Sequence, residues 1–214
     1  METNLVNMPQ QSPINLTDSW TVDFGRQGLS IRWKKTAYGI VKPDAHGGHV
    51  EFTPDDGNYI TLGGKKFYQL QLHLHAESEH WVDGKQLPME VHLVHQSIDE
   101  NAKAVLGAFI EPCKTSTREF GMADMLRSAH GETRQDGEPM ISGDPRDWIP
   151  DDHETYYRYE GSLTTPEYDE TVSWVVFQNH VKIPRTKFNW LAKHFCHGPR
   201  LPQPHHRRFL LSNF

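Results

Sequence analysis

The chain has 214 residues, with 22 Lys and Arg against 28 Asp and Glu, for a formal charge of −6. At this length a folded chain buries roughly 70% of the surface its unfolded form exposes, so neither a disulfide framework nor a structural metal is needed to hold a core. Charges of both signs are interspersed without a basic stripe, which argues against a nucleic-acid partner. No run reaches the ~20 apolar residues of a spanning helix, which argues against a membrane partner.

Gly, Pro, Asn and Asp recur at short intervals, and the runs between them are rich in β-branched and aromatic residues. Residues 29–33, 49–53, 59–62, 67–75, 89–95, 104–110 and 172–178 read as strands. Phe120, Met122, Ala123, Met125 and Leu126 recur at helical spacing and predict a helix over 117–129; a second is predicted over 185–194, following Pro184. Residues 136–152 and 196–208 read as loops, but apolar residues continue on both sides, so neither is a linker. With no repeat and no boundary, the chain reads as one domain, residues 1–214, mainly β of the α+β kind with short peripheral helices.

Fourteen histidines are more than packing alone calls for, and histidine is the commonest metal ligand. In a strand, side chains alternate, so His73 and His75 share a face while Leu72 and Leu74 take the other. A hairpin-like return over 89–95 brings Glu90, His92 and Val94 to a common face, where His92 can meet the first two. Paired core histidines satisfy a His-x-His pattern equally well; the third His and the flanking acceptors favour a metal. Three imidazoles without a thiolate leave a fourth position open, the pattern of a catalytic zinc rather than a closed structural one. Gln71 and Glu90, two residues before His73 and His92, can accept the outward N–H of a ligating ring.

With these residues in view the sequence resembles the α-class carbonic anhydrases, from Gln11 nearly to the C-terminus. Four separated motifs carry the resemblance, in the family's order: Gln11-Ser-Pro-Ile-Asn15, the metal segment Gln71–His80 with Glu90–His95, Ala104-Val-Leu-Gly107, and Gly161-Ser-Leu-Thr-Thr-Pro166 with Trp174 beyond. It implies a large, twisted, mostly antiparallel sheet and a zinc lyase, sensitive to sulfonamides, that hydrates carbon dioxide reversibly to bicarbonate and a proton. By the same resemblance His73, His75 and His92 hold Zn2+, with Gln71 and Glu90 behind them. Thr164 accepts a hydrogen bond from zinc-bound hydroxide and gives its own proton to Glu79, with Tyr159 in the same network. Val94, Val105, Leu163, Val172 and Trp174 form the apolar wall for carbon dioxide, and Thr165 sits at the pocket edge. His46 matches the proton-shuttle position, and His49 stands three residues on, placed to assist or compete.

The sequence departs from the family in places. Only ten residues precede Gln11, so residues 1–10 read as a shortened N-terminal segment without the family's aromatic cluster. Where bacterial and secreted relatives place a Cys after the Thr-Thr-Pro loop, this chain has Pro166-Glu-Tyr-Asp169, so Cys113 and Cys196 are expected as free thiols. Gly198 replaces an Asn whose backbone carbonyl orients a ligating His. His80 and His95 match buried structural positions. His197, His205 and His206 match no role and are expected at the surface, His205-His206 as an adventitious metal pair.

The resemblance leaves a binding or adhesion module that has lost catalysis as the alternative, and a zinc hydrolase of another substrate as a third. Retention of His73, His75, His92, Thr164 and Glu79 favours the enzyme, and the shortened N-terminus favours the module. No basic region followed by an apolar run opens the chain, so no signal peptide is predicted and the cytoplasm is favoured, secretion after loss of a leader being the alternative. A homodimer is compatible with the resemblance.

Overall fold

The computed structural model describes residues 8–44, 47–53, 57–98, 102–115, 120–130 and 139–214. In chain order the strands are β1 (Asn15–Leu16), β2 (Trp20–Thr21), β3 (Ser30–Arg32), β4 (Ala37–Asp44), β5 (Gly47–Phe52), β6 (Tyr59–Leu62), β7 (Lys65–His75), β8 (Trp81–Val82), β9 (Lys85–Gln86), β10 (Glu90–Gln96), β11 (Lys103–Cys113), β12 (Met140–Gly143), β13 (Tyr156–Gly161), β14 (Val172–Phe177), β15 (Val181–Pro184) and β16 (Leu211–Ser212). Among the described residues two α-helices, α1 (Gly121–His130) and α2 (Arg185–His194), and two short 3-10 turns, Gly25–Gln27 and Pro145–Trp148, complete the order. Thirteen strands form one sheet whose main path runs β12-β4-β5-β7-β10-β11-β14-β13-β16-β2. Its pairings are antiparallel except where β11 meets β14 and β15 and where β16 meets β2. No helix among the described residues is long and apolar enough to cross a membrane.

Every strand expected from sequence is present, and so is the helix over 185–194. The helix expected over 117–129 begins later, at Gly121. Phe120, at φ 50°, stands in the left-handed region and cannot belong to a right-handed turn, and residues 116–119 lie outside the described residues. The stretch 136–152, expected as a loop, contains β12 and a 3-10 turn over Pro145–Trp148. Tertiary pairing made this strand: β12 lies against β4, and Ile141 and Trp148 are buried in the core. β4 was hidden by Gly39 and Pro43. Glycine is required at 39, because a Cβ there would lie 2.4 Å from Val50 Cγ1.

The central strands carry an apolar cluster on each face, the second of them beside the polar residues of a cleft. Leu72 and Leu74 of β7, Val91 and Leu93 of β10, and Ala104, Leu106 and Ala108 of β11 point into the main core. Near-continuous apolar character in β11 from Ala104 to Ile110 follows from burial on both sides, whereas β7 and β10 alternate apolar and polar residues. On the other face Val94, Val105, Val172, Trp174 and Val176 form a second cluster with Tyr159 and Ile14. The two clusters clamp the middle of the sheet, which makes it a rigid platform for polar residues carried on the second face.

The pairing of β7 with β10 shifts register between Val94 and His95: Val94 faces Gln71, while His95 faces Gln69. Leu70 is the extra residue of this bulge, so Leu70 and Gln71 both reach the cleft on the second face. Strict alternation would have sent Leu70 into the core.

Cys113 and Cys196 are free thiols, as expected. Leu72→Ala, which empties a fully buried position on the core face, is expected to cost about 2–5 kcal/mol in urea-induced unfolding. Zinc affinity, set on the opposite face of the same strand, is expected to change little.

Candidate metal centre

His73 faces His92 across β7 and β10, and His75 lies two residues along the same face of β7. The three rings converge at the floor of a cleft of about 1120 Å³, with one nitrogen from each within 4.8 Å of the others. Their outer nitrogens each meet an oxygen. Gln71 Oε1 lies 3.2 Å from His73 Nδ1, the Gly198 carbonyl 3.3 Å from His75 Nδ1, and Glu90 Oε1 2.9 Å from His92 Nε2. A ring that donates outward keeps a bare lone pair on its inner nitrogen. His73 Nε2 and His92 Nδ1 face each other at 3.3 Å, and His75 Nε2 is buried without a hydrogen bond.

Three lone pairs converging without a donor among them repel one another unless a cation lies between them. The donor set is three neutral imidazoles, which suits zinc and leaves a fourth position open. Protonation is disfavoured at two of the three. Burial, with the neighbouring imidazoles, holds His73 well below the usual histidine range and pushes His75 down to about 3. Burial also acts against the charged form of His92, but Glu90 and Glu79 outweigh it and raise that ring. A metal ion held by these rings would therefore compete with a proton chiefly at His92.

Glu90 is fully buried. It accepts from the rings of His80 (2.7 Å) and His92 (2.9 Å) and from the amides of Glu79 (3.0 Å) and His80 (2.9 Å). Burial alone would raise this carboxyl; the His80 and His92 donors hold it well below the usual range. From His80 the network continues: the Tyr159 hydroxyl lies 2.7 Å from His80 Nε2 and 3.0 Å from Ser12 Oγ. Ser12 and Ser162 each donate a backbone N–H to the other's hydroxyl, at 2.9 and 3.0 Å. Gly161 permits this approach, since a Cβ there would lie 2.2 Å from Ser12 Oγ. The N-terminal Gln11–Asn15 motif thus pins the loop after β13, and Gln11 Nε2 reaches the Tyr168 carbonyl of that loop at 3.1 Å.

That loop carries Leu163, Thr164 and Thr165 into the cleft. Glu79 lies beneath them. One of its oxygens accepts the Arg200 amide at 2.8 Å; the other lies 3.5 Å from His75 Nε2 and 3.8 Å from His92 Nδ1. Burial pushes the Glu79 carboxyl up, against the pull of His92, the Thr164 hydroxyl and the Arg200 amide. Val94, Val105, Leu163 and Trp174 line the apolar side. Val172 does not line it: it is 1% exposed and stands beside Lys103 on the same face, inside the second apolar cluster.

His46 lies outside the described residues. His49 lines the cleft, with Nε2 3.3 Å from Glu51 Oε1. His197, expected at the surface, also lines the cleft: its Nε2 lies 3.1 Å from the Gly48 carbonyl and its ring centroid 5.9 Å from that of His75. A backbone bridge between His75 and His197 draws it in, a contact across 122 residues that no local pattern signals. Leu70, Lys103, Tyr168 and Arg200 join the lining as well. Arg200 follows the Gly198 carbonyl that holds His75, the one sequence signal that places its segment at the site.

Above the unfolded value of about 4.3 the ionised Glu90 favours the fold, and this contribution is lost as pH falls through its depressed folded value. His75 acts in the same direction. Below about pH 6.5 the unfolded chain takes up a proton that the folded site refuses, so stability again falls with pH. In urea unfolding of metal-free protein the His73 and His75 contributions are expected to be lost as pH falls below about 6.5, against an opposite contribution from His92, and Glu90→Gln is expected to flatten the curve only below about pH 4.3. The same variant is expected to weaken zinc binding about 10- to 100-fold in chelator competition, because a ligand's outer partner is lost.

A family profile described as eukaryotic-type carbonic anhydrase matches residues 2–208. A carbonic anhydrase of Neisseria gonorrhoeae is 32% identical over 185 residues, covering 83% of this chain and 66% of its own length. One from Nostoc is 29% identical over 206 residues, covering 95% of this chain and 75% of that protein. The solved structure of an α-carbonic anhydrase from Thermovibrio ammonificans, in complex with the inhibitor sulfanilamide, superposes with a TM-score of 0.77 at 30% identity, covering 94% of this chain and 86% of that one.

Proposed function

Because this chain belongs to the eukaryotic-type carbonic anhydrase family, we propose that it hydrates carbon dioxide reversibly to bicarbonate and a proton, with zinc held by His73, His75 and His92. The observation that carries the reading is the set of three inward nitrogen lone pairs on the floor of a cleft with one apolar side. Zinc in such a site, for which carbonic anhydrase is itself the type example, supplies a Lewis acid that makes water acidic enough to attack near neutral pH.

The chain's own groups orient the attack. Glu79, held by the Arg200 amide, accepts a hydrogen bond from the Thr164 hydroxyl in this reading. Thr164 Oγ1 is then left as an acceptor for the attacking water, whose remaining lone pair turns toward the apolar side. Val94, Val105, Leu163 and Trp174 hold a linear, apolar substrate there and exclude competing water. Gln71, Glu90 and the Gly198 carbonyl keep the ligand rings in place, so no reorganisation is needed at the moment of reaction.

The proton released must reach buffer through a group that titrates near neutrality at the cleft mouth. His46 takes that role in this reading, supported by its sequence context and by the position of its neighbours: β5 starts at Gly47 and carries His49 into the cleft. His49, beside Glu51, is the assisting group. What supports the enzyme over a catalytically silent binding module is that three imidazole nitrogens converge and that each of these rings turns its other nitrogen to an oxygen.

Stopped-flow hydration of carbon dioxide by zinc-loaded protein tests the reading directly. Rapid hydration that disappears in His92→Ala is expected; a folded, zinc-replete sample no faster than buffer would sink it. His46→Ala is expected to lower turnover in weak buffer and to recover when imidazole is added, whereas loss without recovery would assign the shuttle elsewhere.

A further inference from the structure

The apolar side of the cleft ends in a charge. β11 runs outward from Gly107, opposite His92, through Val105, opposite Val94 and Trp174, to Lys103, opposite Gln96 and Val172. Lys103 shares the cleft face with Val105 and is half-buried among the lining residues. Four residues of strand set its backbone about 13 Å out from the level of His92, and its flexible four-carbon stem reaches part of the way back.

Nothing described neutralises this ammonium. The ion pairs of Lys and Arg side chains among the described residues use Lys42, Arg146, Arg158 and Lys187, and Lys103 takes part in none. Of the two carboxylates in the lining, Glu79 lies buried at the floor beside the histidines. Glu51 sits on β5, about three strand spacings or 14 Å across the sheet, where Lys42 and His49 already engage it. The other lining cation, Arg200, donates to the neutral oxygens of Gln11 and Ser12 and lies 3.9 Å over the Tyr168 ring. The cleft is therefore polarised across its width, with Glu51 and His49 on the β5 side and, on the β11 side, a cation with no ion pair among the described residues.

We propose that Lys103 is the anion-recognition residue of this cleft: it draws bicarbonate to the apolar side and holds the anionic end of larger ligands whose other end reaches the histidine floor. The proposal rests on the hydration reading, which supplies bicarbonate as the natural anion. An anion beside Val94, Val105 and Leu163 loses hydration without finding a partner, and Lys103 offers the first one at the outer end of that surface. Carbon dioxide, being neutral, gains nothing from the charge, so the effect falls on the affinity for bicarbonate rather than on that for carbon dioxide. At about 8 Å, a unit charge changes anion binding roughly 2- to 30-fold, between the dielectrics of water and of a protein surface.

The test uses two probes that differ by one charge, benzenesulfonamide and 4-sulfamoylbenzoate, whose carboxylate lies across the ring from the sulfonamide. Both are titrated calorimetrically into zinc-loaded wild type, Lys103→Met and Lys103→Arg, at low and high sodium chloride. The expected result is a severalfold preference for the carboxylate in wild type that is lost in Lys103→Met, kept in Lys103→Arg and reduced by salt. A bicarbonate KM that rises in Lys103→Met more than the carbon dioxide KM does is the matching kinetic result. Equal preference in wild type and Lys103→Met overturns the role of Lys103 and leaves the hydration reading standing. If neither probe binds the zinc-loaded wild type, that reading fails, and the role of Lys103 fails with it.

Discussion

A carboxylate buried in the middle of a sheet survives only if donors surround it, and Glu90 has four. Two are backbone amides of the segment after β7, and two are imidazole rings. This one group therefore joins a ligand of the metal centre, His92, to the backbone that carries Glu79 and, through His80 and Tyr159, to Ser12 near the N-terminus. Gly107 stands directly behind it. A Cβ at that position would approach Glu90 Oε1 to 3.0 Å, and an oxygen held by two imidazole rings, in a carboxylate fixed by four hydrogen bonds, has little room to yield. The orientation of the His92 ring, the path of the backbone at Glu79 and the absence of a side chain at Gly107 are consequences of accommodating one buried charge.

The sheet provides the rigidity this arrangement needs. β7, β10 and β11 have apolar side chains packed on both faces, so their polar residues project from a backbone that cannot shift without disturbing two clusters. The bulge at Leu70 and Gln71 adds an apolar side chain to the cleft without breaking the pairing that sets His73 against His92. The same strands that position the donors thus also supply the dry surface beside them.

Distant segments complete the site. The loop after β13 is held by Ser12 and Gln11 from the N-terminal motif, and Glu79 by the Arg200 amide from the C-terminal segment. Gly198 supplies only a backbone carbonyl to His75, so the residue type there matters less than the path of the chain. Separate motifs along the sequence meet because each satisfies a buried polar group of another.

Much of this was legible in one dimension. Period-2 alternation put His73 and His75 on one face, a return strand was enough to bring His92 to them, and Gln71 and Glu90 lay at the right offset to hold two of the rings. Residues that reach the cleft by register irregularity or long-range pairing were not legible. Leu70 enters through a bulge, His197 through a bridge to His75, and Val172 withdraws into the apolar cluster beside Lys103. β12 and the start of α1 were likewise decided by neighbours, the first by β4 and the second by the backbone at Phe120. By itself the sequence determined which donors could meet and on which face, because side-chain direction in a strand is fixed by covalent geometry. Which other residues surround those donors was decided only by the tertiary structure, because bulges, bridges and burial depend on contacts between segments far apart in the chain.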